Sequence, residues 1–277
     1  MKKLQTLLAI AMSGALIGLS ASAQPVKPGY ATVIRVKGTA SYSLDGGAHK
    51  HPLVAGQFLE SGAGIYTGDD GVVDVVLGRA QNLPQAAWSP DRISYAVDSP
   101  VRGLVSYQPS VEQNVVRVLS SSTLVIDKLT TVSSGVDTVS DTELDLKKGG
   151  IYASVKKLSP AAQYLVKTPT GIAGVRGTQF SITLNDDGTI KDVAVYQTKN
   201  DDGLVLAVTD GSGSTETYLI KAGEIWQPGI PNPVPITPQL RTILQTVFDT
   251  LRTPYYQEVN FDHKHHKHHE SDDFGDD

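Results

Sequence analysis

Short β-prone runs, repeatedly cut by glycine-containing turns, constrain this chain more than any other feature. From Tyr30 to Trp226, stretches such as Thr32–Val36, Val72–Leu77, Ile190–Tyr196, Leu204–Val208 and Thr217–Ile220 are rich in Val, Ile, Leu, Thr and Tyr. Between them fall Asp45-Gly46-Gly47, Asp70-Gly71, Asp187-Gly188, Asp202-Gly203 and Asp210-Gly211. An Asp-Gly step supplies the positive φ angles that a tight hairpin turn needs. No long stretch of this region carries the period of a helix. The expected fold class is all-β, and the pattern leaves a β-sandwich, a barrel or a wound β-solenoid-like domain open. No repeat of fixed period is visible, which weakens a regular solenoid.

The ends read differently from the middle. Lys2 and Lys3 precede the apolar stretch Leu4–Leu19, and Ala21-Ser22-Ala23 offers a small-residue cleavage pattern. Residues 1–23 therefore read as a secretory signal, with the mature chain starting near Gln24. No later stretch is long and apolar enough to span a bilayer, so the expectation is an exported protein of the periplasm or cell surface, not integral to the membrane once the signal is removed. The chain has no cysteine, which excludes a disulfide framework, a thiol nucleophile and a lipoprotein anchor.

Residues 24–227 form the expected β domain. Residues 79–113 interrupt it with Pro84, Pro90, Pro100 and Pro109 and read as an insertion between strands. Residues 228–237, Pro-Gly-Ile-Pro-Asn-Pro-Val-Pro-Ile-Thr, read as a stiff linker. Residues 238–253 read as one amphipathic helix. Thr237 is placed to cap it and Pro238 suits its first position; Leu240, Ile243, Leu244, Val247, Phe248 and Leu251 make one apolar stripe. That stripe is expected to dock on the β body.

Residues 254–277 read as a disordered His/Asp-rich tail. His263, His265, His266, His268 and His269 are candidate ligands for weak divalent-metal binding, because imidazole suits zinc, nickel and copper. His49 and His51 share the spacing of one strand face but are too few for a site. The formal net charge is −5, concentrated in that tail. The body is near neutral and has no basic cluster, which argues against nucleic acid as a partner.

Three segments together resemble the FecR-like domain. The first is Pro52-Leu53, Gly56, Leu59, Gly62, Ile65, Thr67-Gly68 and Asp70-Gly71. The second is Ser122–Leu129 followed by Leu144–Gly149. The third is Val166 to Phe180, containing Thr168, Pro169, Gly171, Gly174, Arg176, Gly177, Thr178 and Phe180. The resemblance covers roughly residues 30–226 outside the insertion. It implies a β-rich extracytoplasmic domain, which in one branch of the family senses an outer-membrane receptor and controls a sigma factor. The sequence lacks the sigma-binding segment and membrane helix of that branch, so it looks more like free-standing exported FecR-domain proteins.

The residues of the third segment read as a structural signature. Thr168-Pro169 favours an extended residue followed by a turn. Gly171, Gly174 and Gly177 permit positive φ or close packing. Arg176 either holds turn carbonyls or a carboxylate such as Asp127 or Glu143, or faces a ligand carboxylate or phosphate. Phe180, Ile182 and Leu184 alternate as core candidates.

No phosphate loop, nucleophile elbow, HExxH or CxxC occurs. Asp127, Glu143 and Asp145 are the acids from which a glycosidase pair could be drawn, but no spacing pairs two of them. The expectation is a non-catalytic protein with no cofactor and no catalytic residue. Its partner would be a protein or an envelope polymer, and nothing in the sequence sets its oligomeric state. The alternative is a sensor working with a separate membrane regulator or sigma-factor system.

Overall fold

A computed structural model describes residues 26–78, 102–107, 113–133, 138–199, 203–251 and 255–260. Two large sheets face each other as a β-sandwich. Edge to edge, the first sheet runs β18 (Thr215–Ile220), β17 (Leu204–Thr209), β14 (Gly171–Val175), β13 (Gln163–Thr168), β11 (Thr138–Lys148), β10 (Thr123–Ser133), β6 (Gly64–Thr67), β3 (Ala40–Ser43) and β4 (His51–Pro52). Strand β1 (Lys27–Pro28) also pairs with β10. The second sheet runs β20 (Val234–Pro235), β19 (Glu224–Trp226), β16 (Ile190–Thr198), β15 (Thr178–Leu184), β12 (Gly150–Ser154), β9 (Asn114–Val118), β7 (Val72–Gly78), β2 (Tyr30–Lys37) and β5 (Phe58–Leu59). A separate antiparallel pair joins β8 (Arg102–Tyr107) to β21 (Tyr255–Asn260). Pairing is antiparallel throughout, except where β11 runs parallel to β13.

The chain passes from sheet to sheet again and again, so the sandwich is also wound. Chain neighbours β6 and β7, β9 and β10, β11 and β12, β14 and β15, and β18 and β19 lie in opposite sheets. Tight corners make this geometry; glycine lies in four of these five, and Ser121, with φ of 52°, turns the one between β9 and β10. Between β11 and β12, Gly149 has φ of 78°, and a Cβ there would come within 2.1 Å of Ser122 Oγ. Neighbouring corners bond to one another: Gly150 N–H donates to Ser122 Oγ at 2.9 Å, Ser122 N–H to Thr67 Oγ1 at 2.9 Å, and Leu184 N–H to the Gly149 carbonyl at 2.7 Å.

The turn motifs divide by what they connect. Gly46, Gly188 and Gly203 take the positive φ expected of them. Asp70-Gly71 is a corner between the sheets, not a hairpin, and Gly71 lies so close to Thr39 that a Cβ would meet its carbonyl at 2.2 Å.

Inward-facing apolar side chains from both sheets form the main core, including Val33, Val75, Leu124, Ile126, Leu144, Ile151, Val166, Phe180, Ile182 and Leu184. The alternation of Phe180, Ile182 and Leu184 thus points all three inward. A second core lies on the opposite face of the second sheet, beneath helix α1 (Pro238–Leu251). Thr237 caps the helix, accepting Leu240 N–H at 3.2 Å. Leu244, Phe248 and Leu251 are buried against Ile34, Val76, Val115 and Ala194. Phe248 stacks on Tyr196 and meets Tyr152 edge-on. The stripe is narrower than its sequence: Ile243 stays 53% exposed.

Three segments differ from their sequence reading. Val234–Pro235, within the expected linker, pairs with β19 as the edge of the second sheet, and Ile236 is buried beside the helix. Proline fits there because an edge strand needs no donor on its open side. The insertion at 79–113 contains β8, and Gln113 at its end is buried. The expected tail contains strand β21, whose residues 255–260 pair antiparallel with 102–107.

Candidate functional site

The outer faces of the two sheets differ. The second sheet is covered by α1, whereas the first carries a two-part surface with no helix on it among the described residues. One part is a ladder of charges. Lys167 on β13 reaches Glu143 on β11 at 2.6 Å and Asp127 on β10 at 3.3 Å. Lys128 pairs with Asp141 at 3.1 Å, and Lys147 with Asp145 at 2.5 Å. The carboxylates, Glu143 foremost, hold the Lys167 ammonium above its ordinary pKa. Asp127, Glu143 and Asp145 therefore each face an ammonium, and no two of them flank an open cleft as a glycosidase needs.

The other part is apolar. Cross-strand register sets Leu165, Gly174, Val205 and Leu219 in one row across β13, β14, β17 and β18. Ile172 stands diagonally beside Val205. Ile172, Val205 and Leu219 are each about half exposed, at 45%, 46% and 45%. Between Leu165 and Val205 the missing side chain of Gly174 leaves an open trough of about 380 Å³. Arg176 lines it, together with Ala162, Gln163, Tyr164, Val175 and Gly203. The guanidinium gives one Nη2–H to the Pro160 carbonyl at 3.0 Å. It has no carboxylate partner among the described residues.

Residues 110–212 match the family model described as FecR protein. The matched region is FecR-like. No curated protein matches the chain. The matched span holds β9 through β17, including the second and third resembling segments, while the first, around Pro52–Gly71, lies before it.

Within the matched region, the third segment forms β13, the β14 hairpin partner and the corner into β15. Thr168 Oγ1 donates to the Gly171 carbonyl at 3.0 Å and closes the turn at Pro169. Thr178 and Phe180 are buried at the start of β15. The three glycines have three different circumstances. Gly177 takes φ of 77° at the corner. Gly171 has ordinary φ, but a Cβ there would meet the Ala207 carbonyl at 2.6 Å. Gly174 has neither constraint: a Cβ there would find its nearest neighbours at 3.9 Å. What Gly174 provides is the open floor of the trough. Of the two structural roles expected for Arg176, it takes the turn carbonyl; Asp127 and Glu143 belong to Lys167.

A second polar cluster went unread in the sequence. Asp74, in the Val-rich strand β7, is fully buried beneath α1. Arg117 on β9 grips it bidentately, Nε to Oδ1 at 2.7 Å and Nη2 to Oδ2 at 2.8 Å, and Arg35 on β2 stands at 3.6 Å. Arg117 Nη1 also donates to Thr250 Oγ1 at 3.0 Å, which ties the end of the helix to the sheet. Nearby Asp192 is held above the usual carboxylate pKa by burial, opposed by its bond from Thr183 and by Lys191.

His49 bonds Asp45 through Nδ1 at 2.5 Å, and His51 lies against the Tyr42 ring, so the two do not converge. No group of three metal-ligating side chains occurs among the described residues. His263, His265, His266, His268 and His269 lie outside them, as do residues 1–23 and most of 79–113. No helix among the described residues is long and apolar enough to cross a membrane.

Proposed function

We propose that the protein is a non-catalytic, extracytoplasmic binding module of the bacterial envelope, presenting the outer face of its first sheet to a protein or envelope polymer. One observation carries this reading. The two outer faces are treated differently: a helix buries the aliphatics of one, while Ile172, Val205 and Leu219 stay exposed together on the other. Contiguous exposed apolar surface of this kind marks interaction sites. The pairing of every acid in the adjacent ladder argues against hydrolytic chemistry there. The signal-like residues 1–23 support export. The histidine tail adds weak divalent-metal binding, and deleting residues 263–277 is expected to abolish metal retention without unfolding the domain.

A second reading comes from the family, whose members include periplasmic signalling regulators. In it the same face meets a separate membrane regulator of a sigma-factor system. Crosslinked co-purification of the full chain from its native envelope tests both. A specific partner lost in a Val205→Glu, Leu219→Glu variant supports the module. If that partner is an outer-membrane receptor or a transmembrane regulator, signalling takes first place. A partner profile unchanged by the double variant removes the proposed face.

A further inference from the structure

We propose that the Gly174–Arg176 trough binds the free C-terminus of a partner polypeptide that ends in a small aliphatic residue. The inference rests on the reading of this face as a binding surface and names what the face takes.

Three observations converge. The trough is about 380 Å³, within the range of about 300–1,000 Å³ typical of small-ligand sites. Its lining is mixed: Leu165 and Val205 wall it, Gly174 floors it, and Gln163 and Tyr164 line it as well. Its one charged group is Arg176, which donates to a carbonyl from a single nitrogen, although the guanidinium has five N–H donors in a fork that matches a carboxylate.

Charge complementarity selects the occupant. The lysines of the neighbouring ladder each face a carboxylate of this chain, so the ladder offers an anion little. Arg176 faces none among the described residues, so the charge at the trough itself is positive, whereas the ladder beside it, with four carboxylates on three lysines, is net negative. A phosphate would call for several cationic donors, and the trough has one guanidinium, with Leu165 and Val205 beside it. An internal Asp or Glu brings a carboxylate but no aliphatic side chain on the same Cα. A C-terminal residue carries both on one Cα, which fits Arg176 beside the Leu165–Val205 walls.

The position of Gly174 gives the decisive variant. Its φ is not in the left-handed region and its Cβ would be at ordinary contact distance. A side chain there fills the trough without straining the strand, so Gly174→Val is expected to fold with an unchanged unfolding midpoint.

The test is titration of the full chain with an acetylated tripeptide ending in valine, followed by calorimetry or amide chemical-shift changes. The free acid is expected to bind. Its C-terminal amide and the Arg176→Gln chain are each expected to weaken binding by about tenfold or more, the loss of a charge-assisted hydrogen-bonded contact, and the Gly174→Val chain is expected to weaken it as much by filling the trough. Equal binding of acid and amide, unaltered binding by Gly174→Val, or no binding of the acid overturns the proposal. Co-purification with the same Gly174→Val chain separates the two levels. If the tripeptide fails but the variant still loses its envelope partner, the ligand class falls and the surface stands; if the variant keeps its partner, the trough falls, and the Val205→Glu, Leu219→Glu chain decides whether the surface falls with it.

Discussion

Removing Asp74 should do more damage than removing Asp74 and Arg117 together. The carboxylate is fully buried, with two short bonds from Arg117, whose side chain is only 12% exposed. Asp74→Ala leaves that guanidinium under α1 without its main counter-charge. Breaking one side of a buried pair costs about 3–5 kcal/mol, because the remaining charge stays desolvated. For a domain of this size, each kcal/mol shifts the thermal midpoint by about 2–4 °C, so a drop of about 10 °C is expected. Replacing both partners by leucine removes the charges together and is expected to recover most of the loss. Urea denaturation of the wild type, both single variants and the double variant gives the cycle, with the helical circular-dichroism signal reporting on α1. Asp74→Ala costing less than about 1 kcal/mol, or a double variant costing the sum of the singles, would refute the reasoning.

Other outcomes follow from the same structure. Phe248→Ala removes a ring that is 2% exposed and packed on Tyr152 and Tyr196; a loss of about 3–5 kcal/mol in urea is expected, and proteolysis should reach α1 first. Gly149→Ala forces a Cβ into the corner at φ of 78° and toward Ser122; it is expected to cost more than the about 1–2 kcal/mol of a left-handed residue alone, measured by the same denaturation. Asp192 titrates above its unfolded value because burial disfavours its charge, so its ionisation subtracts stability at neutral pH and the deficit disappears as pH falls through its folded pKa. Asp192→Asn is therefore expected to raise the thermal midpoint at pH 7 and to match the wild type in acid; a lower midpoint at pH 7 would show that the Thr183 bond outweighs burial.

Local patterns made much of this legible. Glycine-cut β-runs announced strands, the alternation at Phe180, Ile182 and Leu184 faced the core as expected, and Thr237-Pro238 marked the start of the helix. Asp74 stayed hidden because an acid flanked by Val73 and Val75 looks like the solvent side of a strand. That side is dry only because a helix formed far along the chain lies over it. The linker reading failed at Val234–Pro235 because proline forbids a central strand but not an edge. Gly171, Gly174 and Gly177 look equivalent in sequence; backbone angle and neighbours separate them, and only then does Gly174 stand out as an opening.

The winding of the chain between sheets has a mechanical meaning. In a sandwich whose sheets are each one continuous stretch, the layers can slide apart when only side-chain packing is lost. Here every few strands a corner ties one layer covalently to the other, and adjacent corners are bonded to each other through Thr67, Ser122 and Gly150. Under load the layers cannot shear as plates; the body has to peel from an end, one corner after another.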